Sequence, residues 1–292
     1  MPGLVLSLFP GIGLLDMAFE ADGFTVVRGP DCLWGGDIRA FHPPAGKFDG
    51  IIGGPPCQMF SSLAHLLKAS GRKTRFGNMI PEYERCVDEA QPAWFLMENV
   101  RAAPAPASAG YGVTEFFLDN AMVLGDDGFG QEQTRLRKFN FGCRGKDAPN
   151  LLRWIDLAVF MLPDADGTQW SPDNSKDAKR KVRHEAVTGG HDRPPSKRIG
   201  NGKAQYKEML ASLEKNGMKI PERLRTGTDR VYARRYKLSD ACRLQGLPED
   251  FLKDAPFTAE GKLKAVANGV PLPMGRAIAR AIIEATRLDI HG

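Results

Sequence analysis

The amino-acid sequence predicts an α/β protein with a parallel sheet, followed by a second, basic and loop-rich region. Short apolar runs recur that close on glycine or proline, as buried strands do. Stretches of helical spacing separate several of them, the alternation that builds a parallel sheet. Beyond Gly145 the pattern gives way to a stretch rich in Lys, Arg, Asp, Gly and Pro and poor in large apolar residues.

Each element can be justified in turn. Leu4 to Phe9 is an apolar run ending at Pro10, Gly11 and Gly13, and Leu14, Leu15, Ala18 and Phe19 then take helical spacing. That is strand, glycine turn, helix. Thr25–Val27 reads as a second strand, and Gly50–Ile52 as a third that closes on Gly53-Gly54-Pro55-Pro56. Pro81–Ala90 reads as a helix, and Trp94–Met97 as a fourth strand before Glu98 and Asn99. Further strands are expected at Phe116–Leu124 and Lys138–Gly142. Helices are expected at Lys207–Lys215, from Leu238 onward, and over Pro273–Thr286, where the spacing is amphipathic.

Composition excludes several classes. With 292 residues, 42% hydrophobic and 26% charged, the chain is ordinary globular material of about two domains. No run approaches the roughly 18 apolar residues of a membrane helix. The N-terminal segment has no basic start, and it carries Asp16 and turn glycines, so it reads as a buried strand rather than a secretion signal. Five cysteines without a Cys-x-x-Cys pair point to reduced thiols inside a cell and to no metal site. The net charge is +5, but it is unevenly placed. Residues 144–237 hold 21 Lys/Arg against 12 Asp/Glu, a net +9, whereas the rest of the chain nets −4. A solvated insertion and a surface for a polyanion both fit that split.

Four stretches carry chemistry. Phe9-Pro10-Gly11-Ile12-Gly13 joins strand to helix, where small residues admit a ligand to the backbone and a helix start offers free N–H groups. It lacks the third glycine of the dinucleotide fingerprint, which counts against NAD. Gly53-Gly54-Pro55-Pro56-Cys57-Gln58 follows a strand, and its prolines fix the direction in which Cys57 leaves it. A thiolate held there is a candidate nucleophile. Glu98 follows an apolar strand, whose carboxyl end in an open α/β sheet faces the ligand crevice, so Glu98 and Cys57 are expected at one cavity. In Gln133-Thr134-Arg135-Leu136-Arg137, alternation puts Arg135 and Arg137 on one face.

Together these residues resemble the DNA (cytosine-5)-methyltransferase family. LSLFPGIGLLDMAFEADGF is similar to its methyl-donor motif, GDIR within Gly35–Arg39 to its adenine motif, and GGPPCQMFS to its nucleophile motif. MENV is similar to its proton-donor motif, QTRLR to its Gln-x-Arg-x-Arg motif, RLQGLP to its ninth motif, and ANGVP to its tenth. The order and spacing match over most of the chain. There are departures: Asp31 and Asp37 are only six apart, where the family has a longer βα unit, and Ala267-Asn268-Gly269 replaces the usual Gly-Asn-Ser or Gly-Asn-Ala. The chain resembles a compact member.

The resemblance implies a Rossmann-like S-adenosylmethionine-dependent methyltransferase sheet with a small, loop-rich target recognition domain. Residues 1–144 and 238–292 would form the catalytic domain, and 145–237 the target recognition domain. Cys57 would add to carbon 6 of a flipped-out cytosine, so that carbon 5 can attack the methyl group. Glu98 would act on ring nitrogen 3, Arg137 would hold the ring carbonyl, and Arg135 would orient Glu98. Phe9, Gly11, Ile12 and Gly13 would cradle S-adenosylmethionine, with Asp31 at the ribose, Asp37 and Ile38 at the adenine, and Asn268 closing the pocket. Pro56 would back the reacting base beside the cofactor, and Ser61–Arg75 would be a loop closing over DNA. Double-stranded DNA is the expected partner of a monomer working in the cytoplasm, bacterial or phage-encoded and at the nucleoid, with a cognate restriction endonuclease alongside. An RNA cytosine-5 methyltransferase and a non-catalytic DNA-binding relative are the alternative classes.

Overall fold

The structure is a computed structural model that describes residues 3–56, 59–60, 76–126, 130–131, 133, 135–158, 211, 214–215 and 237–288. The described chain runs β1 (Leu4–Leu8), α1 (Leu14–Ala21), β2 (Thr25–Arg28), β3 (Gly50–Gly53), α2 (Ile80–Ala90), β4 (Trp94–Asn99), β5 (Tyr111–Asp119), β6 (Leu136–Arg144), α3 (Leu238–Leu244), α4 (Ala259–Asn268) and α5 (Leu272–Leu288). The strands form one sheet in the order β2-β1-β3-β4-β6-β5. The chain divides into two compact units. One holds Met1–Leu118, Leu136–Asp156 and Asn268–Gly292, and the other holds Asp119–Arg135 and Leu157–Ala267.

In the first unit, β1 lies parallel to both β2 and β3, and β3 lies parallel to β4. The apolar runs that identify these strands are continuous because both faces of the sheet are covered. Val5, Leu6, Leu8, Ile51, Ile52, Phe95, Leu96 and Met97 are all fully buried. Edge strand β2 is largely exposed, with Val27 42% accessible. Helix α1 buries Leu14, Leu15, Ala18 and Phe19, and it packs on α5, where Gly275 leaves space that Ala18 fills most closely. Helix α2 buries Ile80, Tyr83, Cys86, Val87 and Ala90, a single helical stripe. The Tyr83 hydroxyl donates to the carbonyl of Leu96 at 2.9 Å and so ties α2 to β4.

The sheet is mixed, not parallel throughout: β6 runs antiparallel to β4, with Glu98 opposite Phe139 and Asn99 opposite Lys138. Parallel pairing needs a covering crossover, and among the described residues no α-helix lies between β4 and β6. The fifth strand starts and stops five residues earlier than expected. Its end is set by Asp119, whose carboxylate caps a short 3₁₀ turn at the Ala121 N–H. Helix α4 was not expected from the sequence. The Thr258 hydroxyl accepts from Gly261 N–H at its start, but Gly261 weakens the helical pattern. The expected helix at Lys207–Lys215 lies largely outside the described residues.

In the second unit, polar contacts tie Asp119–Arg135 together. Asp119 also accepts from the backbone N–H of Arg135 at 2.8 Å, and Asn120 N–H donates to the Arg135 carbonyl. In the same unit α3 ends on Gly246, whose φ of +76° lets Leu247 N–H reach back to the Cys242 carbonyl. The Gln245 amide then donates to the Val266 carbonyl at 3.0 Å, fastening α3 to α4.

Two cross-strand pairs set the sheet's interior. Gly50 stands opposite Trp94, and Gly142 opposite Phe95. A Cβ at either glycine would come within 2.2 Å of the facing ring. Gly50→Ala is therefore expected to lower stability by about 1–3 kcal/mol through overpacking. Urea unfolding checks this: an unchanged midpoint would mean that Trp94 has room to turn away.

Candidate active site

The ends of β1 and β3 stand level with Met97 of the parallel strand β4. Leu8 pairs with Gly53, and Gly53 pairs with Met97. The residues that follow, Phe9, Gly54 and Glu98, therefore stand side by side at the carboxyl edge, Glu98 still paired with Phe139 of β6. Between β1 and β3 the strand order reverses direction, the position where open α/β sheets bind ligands.

At β1, the chain turns sharply into α1. Phe9 adopts φ +56°, Gly11 +57° and Gly13 +80°. A non-glycine residue in that region stores about 1–3 kcal/mol of strain, a cost seen mostly at ligand sites. Gly13 N–H donates to the Pro10 carbonyl at 2.8 Å and closes the turn. Gly11 is clamped on both sides. Its N–H donates to the Asp31 carboxylate at 2.9 Å, and its carbonyl accepts from the Trp34 indole N–H at 2.7 Å. The space where a Cβ of Gly11 would sit has no neighbour within 4 Å. Beneath the turn, Asp16 is buried and accepts from Ser7 at 2.5 Å and Arg28 at 2.9 Å. Burial raises its carboxyl above the usual range, against the pull of those donors.

Asp31 also accepts from Leu33 N–H at 2.7 Å, so each of its oxygens holds one backbone donor and keeps acceptor capacity. Six residues on, Asp37 caps the Ile38–Ala40 turn. The Arg39 side chain grips its carboxylate in a fork, with contacts of 2.7–3.2 Å, and holds it below the ordinary carboxylate range. Ile38 sends its side chain into the core beside Leu6 and Ile51 and is 6% exposed.

At β3 and β4 the two glycines have different work. A Cβ at Gly53 would press on the Leu8 carbonyl at 2.5 Å, and a Cβ at Gly54 would lie 3.0 Å from the Glu98 carboxylate. Only a residue without a side chain lets the strand approach β1 and leaves Glu98 its place. The Asn99 amide donates to the Pro55 carbonyl at 3.1 Å and pins the loop to the end of β4. Pro56 is half-buried in the same loop, and Cys57 lies outside the described residues. Glu98 pairs with Arg137 of β6 at 2.9 Å, both side chains about seven-eighths buried (13% and 12% exposed). A second Arg137 N–H donates to the Leu136 carbonyl.

The first unit thus brings together Phe9, Gly11, Gly13, Asp31, Gly54, Pro56, Glu98 and Arg137 around one sheet edge. Ile12 lies within the glycine turn, half-buried. Asn268 is exposed at the end of α4, and the next residue, Gly269, packs so closely on Leu14 that a Cβ would meet it at 2.6 Å. That contact seats the Asn268 backbone near the start of α1. Arg135 is 3% exposed and belongs to the other unit. Within the first unit, Glu98 takes Arg137 as its ion-pair partner. Sequence reasoning passed over Trp34 and Asn99. Trp34 is 61% exposed yet anchored to the glycine turn, and only its three-residue distance from Asp31 hinted at it. Asn99 stands next to Glu98 in a strand end that already attracted notice.

The chemistry of these groups suits S-adenosylmethionine. An open space over Gly11, N–H groups at a helix start and a carboxylate with spare acceptor capacity match an amino acid joined to a nucleoside. The comparisons agree. The C-5 cytosine-specific DNA methylase family matches residues 35–284. Type II methyltransferase M.FnuDI of Fusobacterium nucleatum is 27% identical, over 96% of this chain and 94% of its own. Type II methyltransferase M.NgoPII of Neisseria gonorrhoeae is also 27% identical, over 96% and 95%. Among solved structures, Spodoptera frugiperda DNMT2 superposes with a TM-score of 0.53 at 15% identity, over 96% of this chain and 99% of that one. The Entamoeba histolytica methyltransferase EhMeth superposes with a TM-score of 0.51 at 14% identity, over 99% of both. Those two likenesses establish the Rossmann-like fold. The chain belongs to the C-5 cytosine-specific DNA methylase family, which methylates carbon 5 of cytosine in DNA with S-adenosylmethionine as donor.

Proposed function

We propose that this enzyme works through Cys57 as nucleophile, Glu98 as the acid at ring nitrogen 3, and Arg137 as the group that holds both Glu98 and the ring carbonyl. The observation that carries this reading is the Glu98–Arg137 pair set against Gly54, two residues before Pro56. Bound S-adenosylmethionine supplies an electrophilic methyl group. The chain's own residues do the rest. Phe9, Gly11, Ile12 and Gly13 carry the cofactor, Asp31 meets its ribose, and Asn268 closes over it. Ile38 has its side chain in the core and its carbonyl engaged by Phe41 N–H, so its backbone N–H is the group left for the adenine, beside Asp37. Pro56 supports the flipped base.

The buried thiols make poor substitutes for Cys57. Burial pushes Cys86 up to about 11 and raises Cys242, while Cys143 is buried too. Arg135, with its backbone fixed by Asp119, steadies the segment that leads into Arg137. Residues 145–237 form the target recognition domain in this reading, supported by their net charge of +8. The relatives' name, Type II methyltransferase, supports a restriction-modification context, and in this reading the enzyme is a cytoplasmic monomer with a cognate restriction endonuclease alongside.

Cys57→Ala should abolish turnover and leave S-adenosylmethionine binding near the wild-type value. Glu98→Gln should slow methylation by something like 10²–10⁴-fold, the range of acid–base roles, with cofactor affinity and melting temperature little changed. Radiolabelled methyl transfer and calorimetry read both. A large stability loss with a normal rate per folded molecule would assign Glu98 to folding instead. Running duplex DNA and tRNA side by side as acceptors decides the polymer: preference for tRNA would favour the RNA reading.

Binding to DNA should rest on phosphate neutralisation by the basic region. If about six of its side chains touch phosphates, log affinity should fall against log salt with a slope of about −5. Deleting 173–190 should flatten that slope while cofactor binding persists. An unchanged slope would make the region a solvated insertion.

A further inference from the structure

The turn proposed to meet the adenine is short and mostly exposed, rooted in the core by the buried Ile38 side chain, with Phe41 packed beside it. A second restraint comes from far along the chain. Arg85, on α2, donates from one Nη to the Ile38 carbonyl at 2.8 Å. Its other two nitrogens are committed as well. Nε donates to Glu82 at 2.9 Å, and the second Nη donates to Glu89 at 2.8 Å. Glu89 in turn holds the His42 ring at 3.1 Å, just past the turn. Glu82 and Glu89 thus orient the guanidinium from both sides, and its remaining Nη faces the turn. The Ile38 carbonyl also accepts Phe41 N–H at 3.1 Å, so its acceptor capacity is filled and the peptide plane is fixed.

We infer that Arg85 is a positioning residue for the methyl donor: it sets the height and tilt of the Asp37–Ile38 turn on which the adenine rests. The inference rests on the reading of that turn given above. The chemistry requires arginine. A planar guanidinium serves two carboxylates and a carbonyl at once, in fixed directions, whereas a lysine ammonium is a point charge on a flexible stem. Neither the composition of α2 nor its burial stripe calls for this group. The helix is already fastened by Tyr83 and by its apolar face.

Arg85→Lys keeps the charge and is the primary test, with Arg85→Ala beside it. Steady-state methylation should show KM for S-adenosylmethionine raised about tenfold, with kcat at saturating donor and KM for DNA unchanged. Calorimetric Kd for S-adenosylhomocysteine should rise in parallel, and the melting temperature of Arg85→Lys should stay near wild type. Asp37→Ala tests the underlying reading on its own. If it leaves cofactor affinity unchanged, the turn does not meet the adenine and the inference falls with that reading. If Asp37→Ala weakens the donor and Arg85→Lys does not, the inference alone is overturned. Equal losses in kcat and in KM for DNA would also overturn it, as marks of general structural damage. The double variant should weaken binding by less than the product of the two single effects, since both act through one turn.

Discussion

The hydrogen-bonded register of β1, β3 and β4 fixes everything else at this site. Because Leu8, Gly53 and Met97 are level, three separate stretches of sequence emerge at one edge: a glycine turn, a proline-rich loop and a glutamate. A slip of one residue in β4 would turn Glu98 to the other face of the sheet and remove it from the loop. Two glycines guard that register from within. Gly50 and Gly142 accept the rings of Trp94 and Phe95 from the facing strands, so each aromatic position names its partner.

The polar groups at the edge are arranged in clasps rather than singly. Gly11 is held through both its N–H and its carbonyl, Asn99 holds Pro55, and Arg137 holds Glu98. Each clasp joins segments distant in sequence, so the site is preorganised by the fold before any ligand arrives. The Glu98–Arg137 pair is largely buried. A pair in that setting gains little stability over an apolar pair and is costly to break, which fits a functional rather than a stabilising purpose.

Much of this was legible in the sequence, and the reasons are local. The strands β1, β3 and β4 are uninterrupted apolar runs closed by Gly or Pro, and α1 and α2 show single apolar stripes, so chain-local chemistry specifies them. The glycine turn, Asp31, Glu98 and Arg137 stood out because polar or flexible residues follow such runs directly. What escaped depends on distant partners. The antiparallel direction of β6 follows from a connection without a covering helix. The early end of β5 follows from Asp119 turning its carboxylate onto the next backbone. Helix α4 is masked by Gly261 and a weak stripe. Arg137 as the partner of Glu98, and Trp34 as the partner of Gly11, are pairings across 39 and 23 positions that no spacing rule announces.

The central claim is that the loop beginning at Gly53 and the β4 end at Glu98 present one base to one thiol. The most direct measurement is to incubate the full chain with S-adenosylmethionine and duplex DNA in which the target cytosine is 5-fluorocytosine, then map the trapped adduct by proteolysis and mass spectrometry. The account predicts a stable one-to-one complex whose modified peptide carries the nucleotide on Cys57. An adduct on Cys32, Cys86, Cys143 or Cys242, or methyl transfer to unmodified DNA with no adduct forming on the fluorinated duplex, would contradict it.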